Sequence, residues 1–337
     1  MIQQVYQGET YTLQLDSHHR FVKNWDTELI NMLKGLQAKG YEKPLLTSYI
    51  SSYDPVKDPV GRVQVPWLMN FDRFTPEGVL FFLPATIPNW ENMTEPIPSR
   101  FYSAHFAFTL GKFAVEVQHD PEFYFHGEEI TIAVRAFTHG YDLFHPHKII
   151  AWHEYTRQGR VKQWDDDSEW GKRNTLTHTK TRKLLGIDGE SYDSDDETYG
   201  KYGLGRVRTV ADWERHSGIR MKDRAVQEWT TTNKLSPNPP VDDYDASFHP
   251  KFKHVIDVYK SEFTETDYTF CAVILESEDG TGIYRDDLNA QQLESKLKTD
   301  EDWVKFWVDV RHHKPYKWIV WPHSESKGWC KKIERVL

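Results

Sequence analysis

Tyr11-Thr-Leu-Gln-Leu-Asp16-Ser17-His18, then Asp26-Thr-Glu-Leu29-Ile-Asn-Met32-Leu33-Lys-Gly-Leu36 and Pro44-Leu-Leu-Thr-Ser-Tyr-Ile50, is the stretch on which the reading of the fold turns. The first piece has the apolar character of a strand. In the second, Leu29, Met32, Leu33 and Leu36 recur at helical spacing, and Gly40 follows as a natural stop. The third reads as a buried strand. Strand, helix and strand in this order predict a βαβ unit, hence a parallel sheet that takes ligands at the carboxyl ends of its strands. Asp16 and His18 stand at such an end. Side chains two apart on a strand share a face, so this carboxylate and imidazole are positioned to grip one cation.

Working outward, Phe106-Ala-Phe-Thr-Leu-Gly111 predicts a strand closing on a glycine turn, and Glu116 to Pro121 a loop. Ile130, Ala133, Val134 and Phe137 form a stripe that predicts a short amphipathic helix, opened by Gly127-Glu128-Glu129 and stopped by Gly140. Acidic residues in a first turn favour the helix dipole, which alone suffices to explain Glu128 and Glu129. Neighbours on a helix diverge by about 100°, so at most one of the two is expected to face a site. Pro146 to Arg157 predicts another strand, and His153 at its end supplies a third ligand to set beside Asp16 and His18. One carboxylate with two imidazoles is softer than the all-oxygen shell of magnesium, which makes manganese the better match.

Composition bounds the partners. The 337 residues carry a formal net charge of −9, which argues against a nucleic-acid backbone, and 13 Trp within a 14% aromatic content supply both core and flat stacking surfaces. Cys271 and Cys330 are the two cysteines, too few for a disulfide framework. With no signal-peptide pattern and no apolar run of membrane-spanning length, a soluble cytoplasmic protein without a membrane partner is expected.

Taken together, Asp16-Ser-His-His-Arg-Phe21, Trp25-Asp26, Lys43-Pro-Leu-Leu-Thr-Ser-Tyr49, Gly127-Glu-Glu129, Thr138-His-Gly-Tyr-Asp142, Trp152-His153-Glu-Tyr155 and Tyr202-Gly-Leu-Gly205 resemble the blocks of a glycosyltransferase family. These are the GT-A N-acetylglucosaminyltransferases that modify hydroxyproline, relatives of the polypeptide N-acetylgalactosaminyltransferases. The resemblance runs from about Gly8 to Gly218. It implies an α/β, Rossmann-like GT-A domain and a metal-dependent transfer, with retention, of N-acetylglucosamine or a related sugar from a UDP-sugar donor to a glycan or protein hydroxyl. By position it makes Asp16, His18 and His153 metal ligands, with Mn2+ favoured over Mg2+. Glu128 and Glu129 take the catalytic, acceptor-side position, and Arg157, Tyr155 and Trp152 stand near the donor diphosphate. His19 is a spare candidate ligand. The family places uridine-binding strands ahead of its metal motif. With Asp16 so near the start, an N-terminally truncated domain is expected: an internal start, a fragment, a trimmed relative, or a second chain supplying that half. The alternative reading is a non-enzymatic transferase remnant that binds carbohydrate or protein.

The acidic Trp164 to Trp170 run reads as a solvated loop or as a lid with a sugar-stacking Trp, and Ser191 to Glu197 as a flexible loop. The predicted domains are a catalytic domain over 1–232, a Pro-rich linker over 233–247 and a small, mainly β domain over 248–337. In the last, Tyr268 to Leu275, the partner begun by Ile283 and Tyr316 to Trp321 are the predicted strands, with a turn at Glu278-Asp-Gly280.

Overall fold

The computed structural model describes residues 2–156, 167–190 and 198–337. Two compact units emerge, one of Met1–Asp72 with Gly78–Phe248, the other of Arg73–Glu77 with His249–Leu337. The mixed α/β architecture followed by a β-rich unit agrees with the fold class read from the sequence.

In the first unit the chain forms β1 (Tyr11–Leu15), β2 (His19–Phe21), α1 (Trp25–Ala38), β3 (Pro44–Thr47), β4 (Trp67–Phe74), β5 (Leu80–Thr86), β6 (Ile97–Pro98), β7 (Phe106–Leu110), α2 (Phe113–Glu116), α3 (Glu128–Thr138), β8 (Asp142–His145) and β9 (Ala151–His153). Next come α4 (Trp170–Leu185) and the short strands β10 (Ile219–Arg220) and β11 (Ala225–Gln227). Helix α1 buries the predicted Leu29, Met32, Leu33 and Leu36 against Leu46, Phe106, Phe108 and Phe144. Gly40 ends it with φ +97°, a conformation that costs glycine nothing.

The central sheet has the order β1-β7-β3-β8-β6. Only β3 and β8 pair in parallel; β7 lies antiparallel between β1 and β3. The two strands of the predicted βαβ unit therefore run in the same direction without being neighbours, which corrects the expectation of a parallel pair. Periodicity records which face a strand buries but not which strand lies beside it.

Helix α3 is also a correction. Every residue from Ile130 to Thr138 is buried, so the helix is enclosed rather than amphipathic. Within it, the Arg135 guanidinium donates to the carbonyls of Gly203 (Nε, 3.2 Å) and Gln118 (Nη1, 2.7 Å). The loop that follows is clamped to its end, where the Gly205 N–H donates to Thr138 Oγ1 at 2.9 Å. A Cβ on Gly205 would lie 2.4 Å from the Thr138 backbone, so only glycine fits that approach.

Residues 233–247 belong to the first unit rather than forming a linker. Asn238 Nδ2 donates to Gln227 Oε1 (2.7 Å) and Thr230 Oγ1 (2.8 Å), and Ser236 Oγ meets His216 Nε2 at 3.0 Å. Prolines stiffen this segment, but its polar side chains anchor it.

In the second unit, β12 (Phe248–Tyr259) pairs antiparallel with β15 (Trp303–Arg311). Beside them β13 (Tyr268–Glu276) lies between β14 (Gly282–Asn289) and β16 (Lys317–Ser324), the last continuing to β17 (Gly328–Trp329) and β18 (Ile333–Val336). Ile256, Val258, Val304 and Phe306 meet Val273, Leu275, Trp318 and Val320 in one core, which makes the unit a two-layered β structure. At the predicted turn, Gly280 has φ +83° and Asp279 accepts the Thr281 N–H at 2.9 Å.

Candidate active site and metal centre

Strand β1 ends at Leu15, and the chain turns before β2 pairs antiparallel with β9, setting His19 opposite His153 and Phe21 opposite Ala151. Strand β9 is tied down on both sides: the His153 N–H donates to Ser51 O at 3.0 Å and the Glu154 N–H to His18 O at 3.2 Å. This ladder carries His153 to the Asp16-Ser-His18 turn. Asp16 and His18 thus come together across a turn between strands, not along one strand face.

Ligand atoms of Asp16, His18 and His153 all lie within 4.8 Å of one another. Asp16 Oδ2 is 3.5 Å from His153 Nε2 and 3.9 Å from His18 Nε2. The approach of His153 outweighs partial burial and holds the Asp16 carboxyl below its usual range. His153 is buried, and both its ring nitrogens lack a protein hydrogen bond. Leaving such groups without a partner costs about 1–3 kcal/mol. A divalent cation on Nε2 removes part of that cost, so the residues present fit a metal of mixed nitrogen and oxygen preference.

His19 differs. Its Nδ1 contacts the Asp16 carbonyl at 3.0 Å, and burial pushes its pKa down to about 4. It stays neutral and falls outside the converging trio.

Sequence reading missed His105, whose ring stacks on His153 with centroids 4.5 Å apart. The Ile50 N–H donates to His105 Nε2 (3.2 Å), and Nδ1 faces Ser103 Oγ (3.1 Å). An imidazole that accepts an amide proton is neutral, in accord with burial driving its pKa far down. It braces His153 without adding charge. Tyr49 was missed as well, although it lies just past the carboxyl end of β3, where the parallel-sheet rule points. Its hydroxyl donates to Glu129 Oε2 at 2.7 Å, and the Ala104 N–H donates to Glu129 Oε1 at 2.8 Å. Burial nevertheless pushes the Glu129 carboxyl up to about 7.

Glu128 turns to His119, with Oε1 2.9 Å from Nδ1. Glu128 and Glu129 both border one cleft of about 650 Å3 together with Asp16, His105, His153 and Tyr155. The cleft runs along the first turn of α3, which brings both neighbouring residues to its rim. Trp67 and Phe82 supply an apolar wall.

Tyr155 reaches the cleft, its ring 4.3 Å from that of His153 and its hydroxyl donating inward to Ile50 O at 2.7 Å. Trp152 does not. Its indole N–H donates to Val63 O at 2.8 Å and Arg62 covers its ring, because neighbours on β9 point to opposite faces. Arg157 lies outside the described residues, as do Trp164 to Asp166 of the acidic run and all of Ser191 to Glu197, while Trp170 opens α4.

A family model described as glycosyltransferase (GlcNAc) matches residues 1–223. The chain belongs to the glycosyltransferase (GlcNAc) family. Among solved structures, this glycosyltransferase-family chain is similar to "Crystal structure of GalNAc-T7 with UDP, GalNAc and Mn2+", with 12% identity and a TM-score of 0.39 over 96% of this chain and 52% of that one. It thus spans about half the length of that protein. No curated protein matches it. Among the described residues, no helix of this family member is long and apolar enough to cross a membrane.

Glu129 gives the cleft a measurable signature. Its folded-state pKa of about 7 lies above the ordinary value of 4.5, so between these pH values the folded chain binds more protons than the unfolded one. Stability therefore falls as pH rises through that window. Urea titrations across the window are expected to show the fall in the wild type, with Glu129→Gln lacking that component.

Proposed function

We propose that this chain is a metal-dependent, retaining GT-A glycosyltransferase that moves N-acetylglucosamine from UDP to a glycan or protein hydroxyl. One observation carries the reading: a carboxylate and two imidazoles converge within 4.8 Å at a cleft that Glu128 and Glu129 also line, in a glycosyltransferase-family chain. Asp16, His18 and His153 would hold the cation, and the mixed donor set favours Mn2+ over Mg2+. When bound, the cation neutralises charge on the departing diphosphate.

The remaining work falls to the chain. Glu129, fixed by Tyr49 and the Ala104 amide, is placed to orient a sugar or acceptor hydroxyl, and with a pKa of about 7 it exchanges a proton near neutrality. Glu128, oriented by His119, presents a second oxygen for an acceptor hydroxyl. Tyr155 and His105 hold the His153 ring in place, and the wall of Trp67 and Phe82 suits the C–H face of a sugar. Two free cysteines suit the reducing cytoplasm in which we place this activity.

The test is release of UDP from a panel of sugar nucleotides with and without Mn2+. Metal-dependent release, greatest with UDP-N-acetylglucosamine, is expected. Metal binding without donor binding or turnover would refute the enzyme reading.

A further inference from the structure

Residues 200–210 cross the carboxyl end of α3 and form a second hollow there. Parts of this loop, with Thr138 and His139, line a pocket of about 480 Å3. Helix α3 rises about 1.5 Å per residue, so Thr138 lies about 15 Å along the axis from Glu128, and the pocket is separate from the cleft. The end of the helix fixes the loop in place. Thr138 O accepts the Val207 N–H at 2.9 Å and the Arg208 N–H at 3.2 Å, beside the Gly205 N–H on Thr138 Oγ1. A hollow walled in this way meets a ligand preorganised.

Charge selects the occupant. Lys201, Arg206 and Arg208 line the pocket and, among the described residues, no carboxylate does, in a chain whose formal net charge is −9. The neighbouring acids are committed elsewhere. Asp142 pairs with Arg208 at 2.8 Å, and Glu116, the acid near His139, pairs with Lys43 at 2.9 Å. Asp212 accepts the Thr209 N–H at 2.8 Å in the cap of α5 (Val210–Ser217) and meets Arg215 at 2.9 Å. Lys201 and Arg206 are exposed and form no ion pair among the described residues, Lys201 standing 5.2 Å from the Tyr202 ring centroid. Three bases against Asp142 leave two positive charges unmatched. A phosphate monoester carries about −1.5 to −2 at neutral pH and balances them, whereas a single carboxylate leaves the pocket positive. Arg206 brings a planar fork and Lys201 a point charge, both suited to phosphate oxygens. Gly200, Gly203 and Gly205 place no side chain in the way, and the volume lies in the range of small-molecule sites.

We propose that this pocket binds a phosphate group, carried by a small molecule or free, with Lys201 and Arg206 as its charge partners and the glycine-rich loop as its wall. The proposal does not depend on the metal site.

The full chain, stripped of metal and dialysed free of chelator, is titrated calorimetrically with inorganic phosphate, glycerol 3-phosphate and acetate at fixed ionic strength. Saturable binding of phosphate or its ester is expected, at least about tenfold tighter than acetate, and the tighter of the two phosphates identifies the carrier. Arg206→Gln and Lys201→Gln should each weaken it about tenfold at an unchanged unfolding midpoint, because both side chains are exposed. Arg206→Lys, which keeps the charge without the fork, recovers part of the loss. Asp16→Ala, which alters the catalytic cleft, leaves binding unchanged. Four outcomes overturn the proposal: no saturable binding of either phosphate, acetate bound as tightly as phosphate, loss of binding in Asp16→Ala, or full affinity in the Lys201→Gln/Arg206→Gln double variant. An oligoaspartate peptide that binds and is not displaced by phosphate overturns it as well, in favour of an acidic protein partner.

Discussion

Asp16→Ala is expected to reduce Mn2+-dependent UDP release by at least about a hundredfold, because it removes the single anionic donor of the converging trio. Two neutral imidazoles remain, and neither cancels charge on the cation. Asp16 is exposed, and the side-chain neighbours that depress its pKa are the site histidines. Its loss should therefore leave folding stability within about 1 kcal/mol of the wild type. His153→Ala should match it in metal affinity while costing more stability, since His153 is buried between His105, His19 and Tyr155. Calorimetric titration with Mn2+, read beside urea unfolding, separates the two effects. An unchanged Mn2+ affinity in Asp16→Ala would remove the ligand assignment.

Lys180→Met is expected to destabilise the first unit by about 3–5 kcal/mol, the cost of stranding a buried charge. Lys180 Nζ lies 2.6 Å from Asp120 Oδ2 and 2.7 Å from Glu122 Oε2, and the Lys180 and Asp120 side chains are each only 4% exposed. Rings of Phe123 and Tyr199 flank the ammonium at 5.4 Å. Methionine fills the space but leaves the Asp120 carboxylate in an apolar shell. One outcome identifies this cause: Asp120→Leu added to Lys180→Met should recover most of the loss, as read by urea unfolding. A deficit below about 1 kcal/mol would mean that water reaches the pair and makes it an ordinary surface bridge.

The legible part of this protein was written in local periodicity. The stripe of α1, the strand β7 and the strands β13, β14 and β16 of the second unit were legible from side-chain spacing and turn residues, whereas β12 and the strictly alternating β15 were not read from the sequence. Asp16, His18 and His153 were named from residue type and position at element ends, and the fold brings them together. Less legible were features that depend on neighbours distant in sequence. Strand β7 entering between β1 and β3 leaves no local mark. Trp152 and His153 are adjacent in sequence, yet one faces Arg62 and the other the cleft, since a strand alternates and the pairing with β2 sets the phase. His105 carried no motif, and its part came from stacking on a ring 48 positions further along.

By itself, the sequence determined the element types, the helical stripes, the β character of the second unit and the chemical kinds available for a metal centre, because these rest on propensity and spacing within a few residues. Only tertiary structure decided that α3 is wholly enclosed, that two glutamates share one cleft, that residues 233–247 are anchored and that the side chains of Asp16, His18 and His153 converge. Those outcomes depend on strand order, register and burial, which arise when distant segments exclude water from one another.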